Sequence, residues 1–315
     1  MIKVFHMNTS INPFELCKGE WKQTLLTAIR TEHPDVCLLV ENFGYHCGYI
    51  CKYITLPLAT LVQNAPYLSG LHKLLLVSAA GAGWVMLKGL KCIKPFKFSC
   101  YTDYIKDLAG EYDIFCPEVS IPDYNYTTVL DSGLFILIRK NSNLTVLPNS
   151  FTSQQYSVNN KADQQVISIK VRTADGQIIN VMTTHLICPS LLFTVGQNRT
   201  QMNELKEFIK KTVAPNERLL RSSDTNVNFR DPIDRRFLNE YCASLKIKKQ
   251  DGDAITCIYD NTGMLSKSET IMCDYVLVSD DMTISNVSTP DVLTGSEHVA
   301  VICNVELPFT GSPQP

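Results

Sequence analysis

The sequence lacks a dominant sign of charge: 29 lysines and arginines stand against 31 aspartates and glutamates in 315 residues, a formal net charge of -2. Such a chain has no overall basic field to hold it on nucleic acid through phosphate contacts, so any such contact must rest on a local patch. Its 12 cysteines include no Cys-x-x-Cys pair, which argues for free, mostly buried thiols in a reducing, cytoplasmic compartment. The first residues lack the charged region, apolar core and cleavage site of a secretory leader. No apolar run reaches the roughly 20 residues a bilayer span needs. Repeats, low-complexity tracts and a clear linker are also missing, so residues 1-307 read as a single domain. Within it lies an apolar, lysine-flanked insert at about 45-100, and 308-315 form a disordered tail.

What is present is a large apolar fraction, 45% of residues, enough to bury a sizeable core. IKVFHMN, directly after Met1, alternates as a first strand ending at Asn8. Helical spacing follows from Phe14 to Thr31, and Pro34-Asp35 stops it ahead of the strand VCLLVE. Residues 101-108 predict a further amphipathic helix. Strand-like runs follow in YDIFC, VLDSGLFILIRK, LTVLP, QVISIKVR and QIINVMTTHL, with Ala174-Asp175-Gly176 as a hairpin turn between the last two. Helices are expected over Gln197 to Val213 and after Asp231-Pro232. TIMCDYVLVSD, MTISNVS and VAVICNVEL close the chain as strands. Mixed strands and helices with hairpins in the middle and at the end favour an α/β sandwich of largely antiparallel sheets over a doubly wound fold.

The chemistry sits at strand ends. RLLRSSDTNVN, Arg218 to Asn228, is a short apolar run that stops at Asp224 and presents Asn226 two residues on. Residues two apart share a face of an extended chain. A carboxylate there can orient a cation and a water, while an amide donates to a phosphoryl oxygen without adding charge; surface turns use the same pattern. Glu41 ends a strand that is apolar on both faces, where a carboxylate either meets a cation or marks the emergence into solvent. Asn8, His185, Asp274 and Glu297-His298 also fall at strand ends.

The insert contains LLLVSAAGAGWVML, 14 uncharged residues between Lys73 and Lys88, with Lys88, Lys91, Lys94 and Lys97 following. It suits either a buried helix with a solvated lysine edge or a segment lying in a membrane interface.

The order and spacing of these groups resemble the exonuclease-endonuclease-phosphatase superfamily, which includes pancreatic deoxyribonuclease, abasic-site endonucleases, inositol-polyphosphate phosphatases and neutral sphingomyelinases. The likeness covers nearly the whole chain outside about 45-100. The family's Trp-Asn strand end is met by Met7-Asn8, Gln-Glu by Val40-Glu41, and Ser-Gly-Leu by Ser132-Gly133-Leu134. Thr-His-Leu is met by Thr184-His185-Leu186, and the Arg-x-x-Gln helix loosely by Arg199 and Gln201. Ser223-Asp224-Thr225-Asn226 stands for Gly-Asp-x-Asn, Asp274-Tyr275 for Asp-Tyr, and Ser296-Glu297-His298 for Ser-Asp-His. Ser223 and Glu297 depart from the pattern. An extra methylene at Glu297 can displace a catalytic group by about 1 Å and cost on the order of 100-fold.

The resemblance implies a four-layer α/β/β/α sandwich of two mostly antiparallel sheets flanked by helices, and Mg2+-dependent phosphoester hydrolysis. Glu41 would ligate Mg2+ with Asn8 beside it. His298, oriented by Asp274 or Glu297, would take a proton from the attacking water that Asp224 positions, while Asn226 and His185 stabilise charge on the phosphoryl oxygens. The nearest subgroup in appearance is the neutral sphingomyelinases, with a phospholipid substrate and peripheral membrane contact through residues 74-97. A nuclease acting on DNA or RNA and a catalytically degenerate binding module are the alternatives.

Overall fold

The structure, a computed structural model, describes residues 1-9, 20-40, 105-117, 133-158, 164-188, 194-251, 255-259, 269-292 and 298-308. Glu41, Ser132, Glu297, the segment 74-97 and the tail from 309 therefore lie outside the described residues.

Alternation of apolar side chains builds two sheets. In the first, β1 (Ile2–Asn8) runs parallel to β2 (Val36–Val40) and antiparallel to β15 (Val301–Glu306). β14 (Thr283–Ser288) extends that sheet beyond β15, while β4 (Phe135–Arg139) and β3 (Tyr112–Phe115) extend it beyond β2. The second sheet has the order β10 (Ile247–Lys249), β13 (Asp274–Ser279), β9 (Arg218–Asp224), β8 (Ile178–His185), β7 (Gln165–Thr173), β5 (Leu144–Val146), and β6 (Thr152–Gln155) also pairs with β7. Only β8 and β9 run parallel in it. β11 (Cys257–Tyr259) and β12 (Glu269–Ile271) form a separate two-stranded ladder.

Three apolar clusters separate four layers, as the resemblance implied. Val4, Leu38, Ile136, Ile169, Val181, Leu220 and Val276 fill the space between the sheets. Phe5, Cys37, Leu39 and Leu137, from the opposite face of the first sheet, pack on Leu25, Leu26 and Ile29 of α1 (Glu20–Glu32). Met182, Leu219, Tyr275 and Leu277 pack on α2 (Val195–Thr212) and α3 (Pro232–Leu245). Strand side chains alternate between these clusters with period two, so a strand such as Val36–Val40, buried on both faces, reads as a continuous apolar run. Truncating an interior leucine such as Leu220 to alanine would cost about 2-5 kcal/mol.

The helices have recognisable ends. Thr194 and Gln197 form a reciprocal capping box at the start of α2, and Asp231 accepts from Ile233 N and Asp234 N with Pro232 in the first turn of α3. Gly176 carries the predicted hairpin turn at φ +86, a conformation that costs glycine little.

Of the helix expected over 101-108, residues 101-104 lie outside the described residues; Ile105 is α-helical and Lys106–Leu108 continue it as a 3-10 turn. Two expectations change. The run TIMCDYVLVSD is two strands, interrupted at Met272-Cys273, because those carbonyls are taken by other partners: Cys273 O accepts from Thr225 N, and Met272 O from Phe229 N. The β6, β10 and β11 strands were not expected, being short and, in β6, exposed throughout.

Candidate active site

On the strands that line the gap between the sheets, the inward-facing positions change from aliphatic to polar or titratable at one end. Along β1 the order is Val4, His6, Asn8; along β9 it is Leu220, Ser222, Asp224; along β8 it is Val181, Thr183, His185. Register then sets the groups side by side. His185 of β8 lies opposite Asp224 of β9, and Asp274 of β13 lies opposite Asp224 on its other flank. His185, Asp224 and Asp274 thus form one row across three neighbouring strands, and β1 brings His6 and Asn8 to it from the facing sheet.

The contacts centre on two carboxylates. Asp274, fully buried, receives His298 Nδ1 at 2.8 Å on Oδ2 and His6 Nε2 at 3.1 Å on Oδ1. Asp224 Oδ2 accepts from Asn8 Nδ2 at 2.9 Å and stands 3.9 Å from both His185 Nε2 and His298 Nε2. That separation is too long for a direct hydrogen bond and too short for an intervening water, so the two imidazoles must tighten or part when a phosphate or water enters.

The loop after β9 is held from several sides. Asp224 Oδ1 accepts from Asn226 N at 2.8 Å, which bends the chain so that Asn226 adopts φ +50. Asparagine tolerates this left-handed conformation better than most residues. The Asn226 amide then donates to Leu186 O at 2.8 Å and lies 3.3 Å from His185 Nε2. Beneath it, buried Asn198 of α2 donates to Thr225 O and Ile187 O, and the Tyr275 hydroxyl donates to Val227 O at 2.6 Å while accepting from Phe229 N.

Burial and charge oppose each other here. Burial raises Asp224 above the usual carboxylate range and repulsion from Asp274 raises it further, against the pull of His298 and His185. For Asp274 burial also pushes up, but His298 and then His6 outweigh it and hold the carboxyl well below its ordinary value. Burial disfavours the His298 cation; Asp274 overcomes this and raises the imidazole well above an ordinary histidine. A carboxylate as reluctant to ionise as Asp224 is one that a divalent cation would stabilise. Asp224, Asp274, Cys273 and His298 offer donor atoms that all lie within 4.8 Å of one another, and the two carboxylates suit a hard cation such as Mg2+.

Of the residues singled out in the sequence, Asn8, His185, Asp224, Asn226, Asp274 and His298 come together. Asp274 is the carboxylate in contact with His298. Ser223 alternates away from the site, toward the helix layer that contains its cross-strand neighbour Tyr275, so its departure from glycine adds nothing to the cavity between the sheets. Arg199 pairs with Asp234 at 2.5 Å and lies over the Phe237 ring at 3.5 Å, tying α2 to α3, and Gln201 accepts from Ile187 N at 2.6 Å. His6, Cys257 and Cys273 were not foreseen. The signal for His6 was its place two residues before Asn8, hence on the same face.

Arrangement and topology together give the layered α/β sandwich that the sequence resemblance implied. Solved structures agree along nearly the full length. D. rerio TDP2 complexed with single strand DNA product matches with TM-score 0.56 and 14% identity, over 97% of this chain and 98% of that one. Beta toxin from Staphylococcus aureus matches with TM-score 0.56 and 15% identity, over 96% and 99%. The mannosyl-6-phosphatase of Bacteroides thetaiotaomicron matches with TM-score 0.55 and 10% identity, over 97% and 99%. No protein-family model and no curated protein matches the sequence.

Proposed function

We propose that the chain is a divalent-metal-dependent phosphodiesterase, with Mg2+ held by Glu41 beside Asn8. The observation that carries this reading is the row His185-Asp224-Asp274 with His298 bonded to Asp274. The bound cation would neutralise phosphoryl charge and lower the barrier to attack. Asp274 fixes His298 with Nδ1 toward the carboxylate, which turns Nε2 toward Asp224. In that tautomer Nε2 takes the proton of a water positioned by Asp224. Asn226 and His185 donate to the phosphoryl oxygens as charge builds, and His185 returns a proton to the leaving oxygen.

For the substrate, the reading favoured is a sphingomyelinase-like phospholipid phosphodiesterase, releasing phosphocholine and ceramide. Its support is the segment 74-97, which follows β2 and Glu41 in the sequence and joins an apolar run to four lysines, the composition that reaches a scissile bond at headgroup depth. Among the described residues no helix is long and apolar enough to cross a bilayer, and peripheral contact needs none. A nuclease is the second reading, favoured by the likeness to a TDP2 held with single strand DNA product.

The deciding experiment is turnover of sphingomyelin, lysophospholipid, DNA and RNA with Mg2+ or chelator, using His298→Ala as the blank. Metal-dependent release of phosphocholine, lost in Glu41→Gln, supports the lipid reading. Hydrolysis of oligonucleotides alone moves the assignment to the nuclease. Failure on every phosphoester leaves the degenerate binding module.

A further inference from the structure

Beside the carboxylates lies a second set of donors, in which two cysteines that the hydrolytic scheme does not use stand next to its base, His298. Cys257, Cys273 and His298 each present a ligand atom, all within 4.8 Å of one another, and none of the three is more than 5% exposed. Three separate parts of the chain supply them, and Thr256 ties these parts together. Its hydroxyl accepts from Cys273 N and Asp274 N, both at 3.1 Å. Its carbonyl accepts from Val299 N at 3.0 Å, and its N-H donates to Ile271 O at 3.1 Å. Cys257 is further joined to His298 by a main-chain bridge. The donors are therefore placed by backbone rather than by flexible side chains. Ligand groups held in this way lose little freedom on binding.

Two thiols and an imidazole are soft donors. They select Zn2+ over Mg2+, which takes oxygen and keeps its waters. In a tetrahedral zinc site with Zn-S of about 2.3 Å and Zn-N of about 2.0 Å, ligand atoms stand roughly 3.3-3.8 Å apart. A 4.8 Å cluster closes to that with small side-chain rotations. Cys273 and His298 also fall within the same limit of Asp224 and Asp274, in a second set that does not include Cys257. We propose that Cys257, Cys273 and His298 form a Zn2+ site that, when filled, takes His298 out of hydrolysis. The binding half stands alone; the inhibitory half rests on the phosphodiesterase reading. Occupancy by Zn2+ and proton transfer by His298 would exclude each other, because a ring nitrogen bound to metal cannot also take a proton from water.

The test uses the reduced, metal-free full chain titrated with Co2+, whose visible bands report tetrahedral geometry and whose ultraviolet absorption reports thiolate ligands. We expect one tight equivalent with thiolate absorption, displaced by Zn2+, and a clear loss of that absorption in both Cys257→Ser and Cys273→Ser. Melting curves confirm that each variant folds, and Cys257→Ala replaces a serine variant that does not. A tetrahedral spectrum unchanged in both variants, or no such spectrum in the wild type, overturns the site. In parallel, Zn2+ is added to Mg2+-supported hydrolysis. Inhibition that weakens at least about tenfold in Cys257→Ser supports the coupling through one lost thiolate ligand. Hydrolysis indifferent to Zn2+ in a protein that shows the Co2+ spectrum overturns the coupling. If the wild type hydrolyses nothing, the phosphodiesterase reading fails while the Co2+ titration still decides the site.

Discussion

Asp274→Asn replaces one carboxylate oxygen by an amide nitrogen with almost no change in volume, which makes it the sharpest probe of the site. Asp274 is fully buried and bonded to two imidazoles, His298 at 2.8 Å and His6 at 3.1 Å. At 2.8 Å a full charge pair gains about 6 kcal/mol for an effective dielectric near 20, before burial is set against it. That attraction is what raises His298. The new amide is accommodated with its NH2 toward His6, whose ring can turn over its tautomer, and its carbonyl toward His298. The orientation of His298 survives and the charge is lost.

For the rate, removing the charge that supports a proton acceptor is expected to lower kcat on the order of 1000-fold, about 4 kcal/mol, with KM little changed. The pH profile should move as well. A raised His298 must shed its proton before it can act, so wild-type activity climbs as pH rises through that raised value. In the variant the climb should finish at lower pH. The assay is steady-state hydrolysis of a soluble phosphodiester with saturating Mg2+ from pH 6 to 9, beside a melting curve. A folded variant that keeps kcat within about fivefold of the wild type and the same pH profile would refute the base assignment to His298.

Asn226→Gly should fold normally, because glycine accepts φ +50, yet lose the amide beside His185 and with it about 100-fold in kcat; full activity would remove Asn226 from the site. Arg221 is a buried cation whose Nη1 donates to the Tyr241 hydroxyl at 3.0 Å, while Nε and Nη2 have no partner among the described residues. Arg221→Met should therefore leave hydrolysis unchanged and stabilise the fold by about 1-3 kcal/mol, and a lower melting temperature would contradict this. In the metal-free protein the depressed Asp274 contributes stability that is present above about pH 4 and is lost as pH falls through its folded value. The raised His298 contributes stability that is complete below about pH 6.5 and lost as pH rises through its folded value. Chemical denaturation of metal-free protein from pH 3 to 10 should thus show both losses, and Asp274→Asn should flatten them; an unchanged profile in that variant would disprove the linkage.

Long strands buried on both faces were plain in the sequence because they carry unbroken apolar runs, as in VCLLV, and the strand-end polar groups stood out against them. Short strands were not. TSQQ of β6 has no apolar side to reveal it, and IKK of β10 is recruited only by pairing with β13. The break before Asp274 was invisible for a different reason: Met272 and Cys273 look like good strand residues, and only tertiary bonds from Thr225 and Phe229 take their carbonyls out of the ladder. The cysteines of the proposed zinc site are 16 positions apart and joined to a histidine 25 further on, a spacing no local motif contains. Their proximity depends on Thr256, an unremarkable residue in the sequence.

The pairing of β1 with β15 also has a consequence for how the protein is made. Ile2 lies opposite Val305, so one flank of β1 stays open until nearly 300 further residues have been synthesised. At about 5-20 residues per second that is roughly 15-60 s during which an apolar strand edge is exposed. The second sheet has no such delay, since all its strands fall between Leu144 and Ser279. Its strands can therefore bring His185, Asp224 and Asp274 into register before the last strand leaves the ribosome. The order of emergence thus sets a finished half of the site waiting for His298, the residue whose arrival completes it.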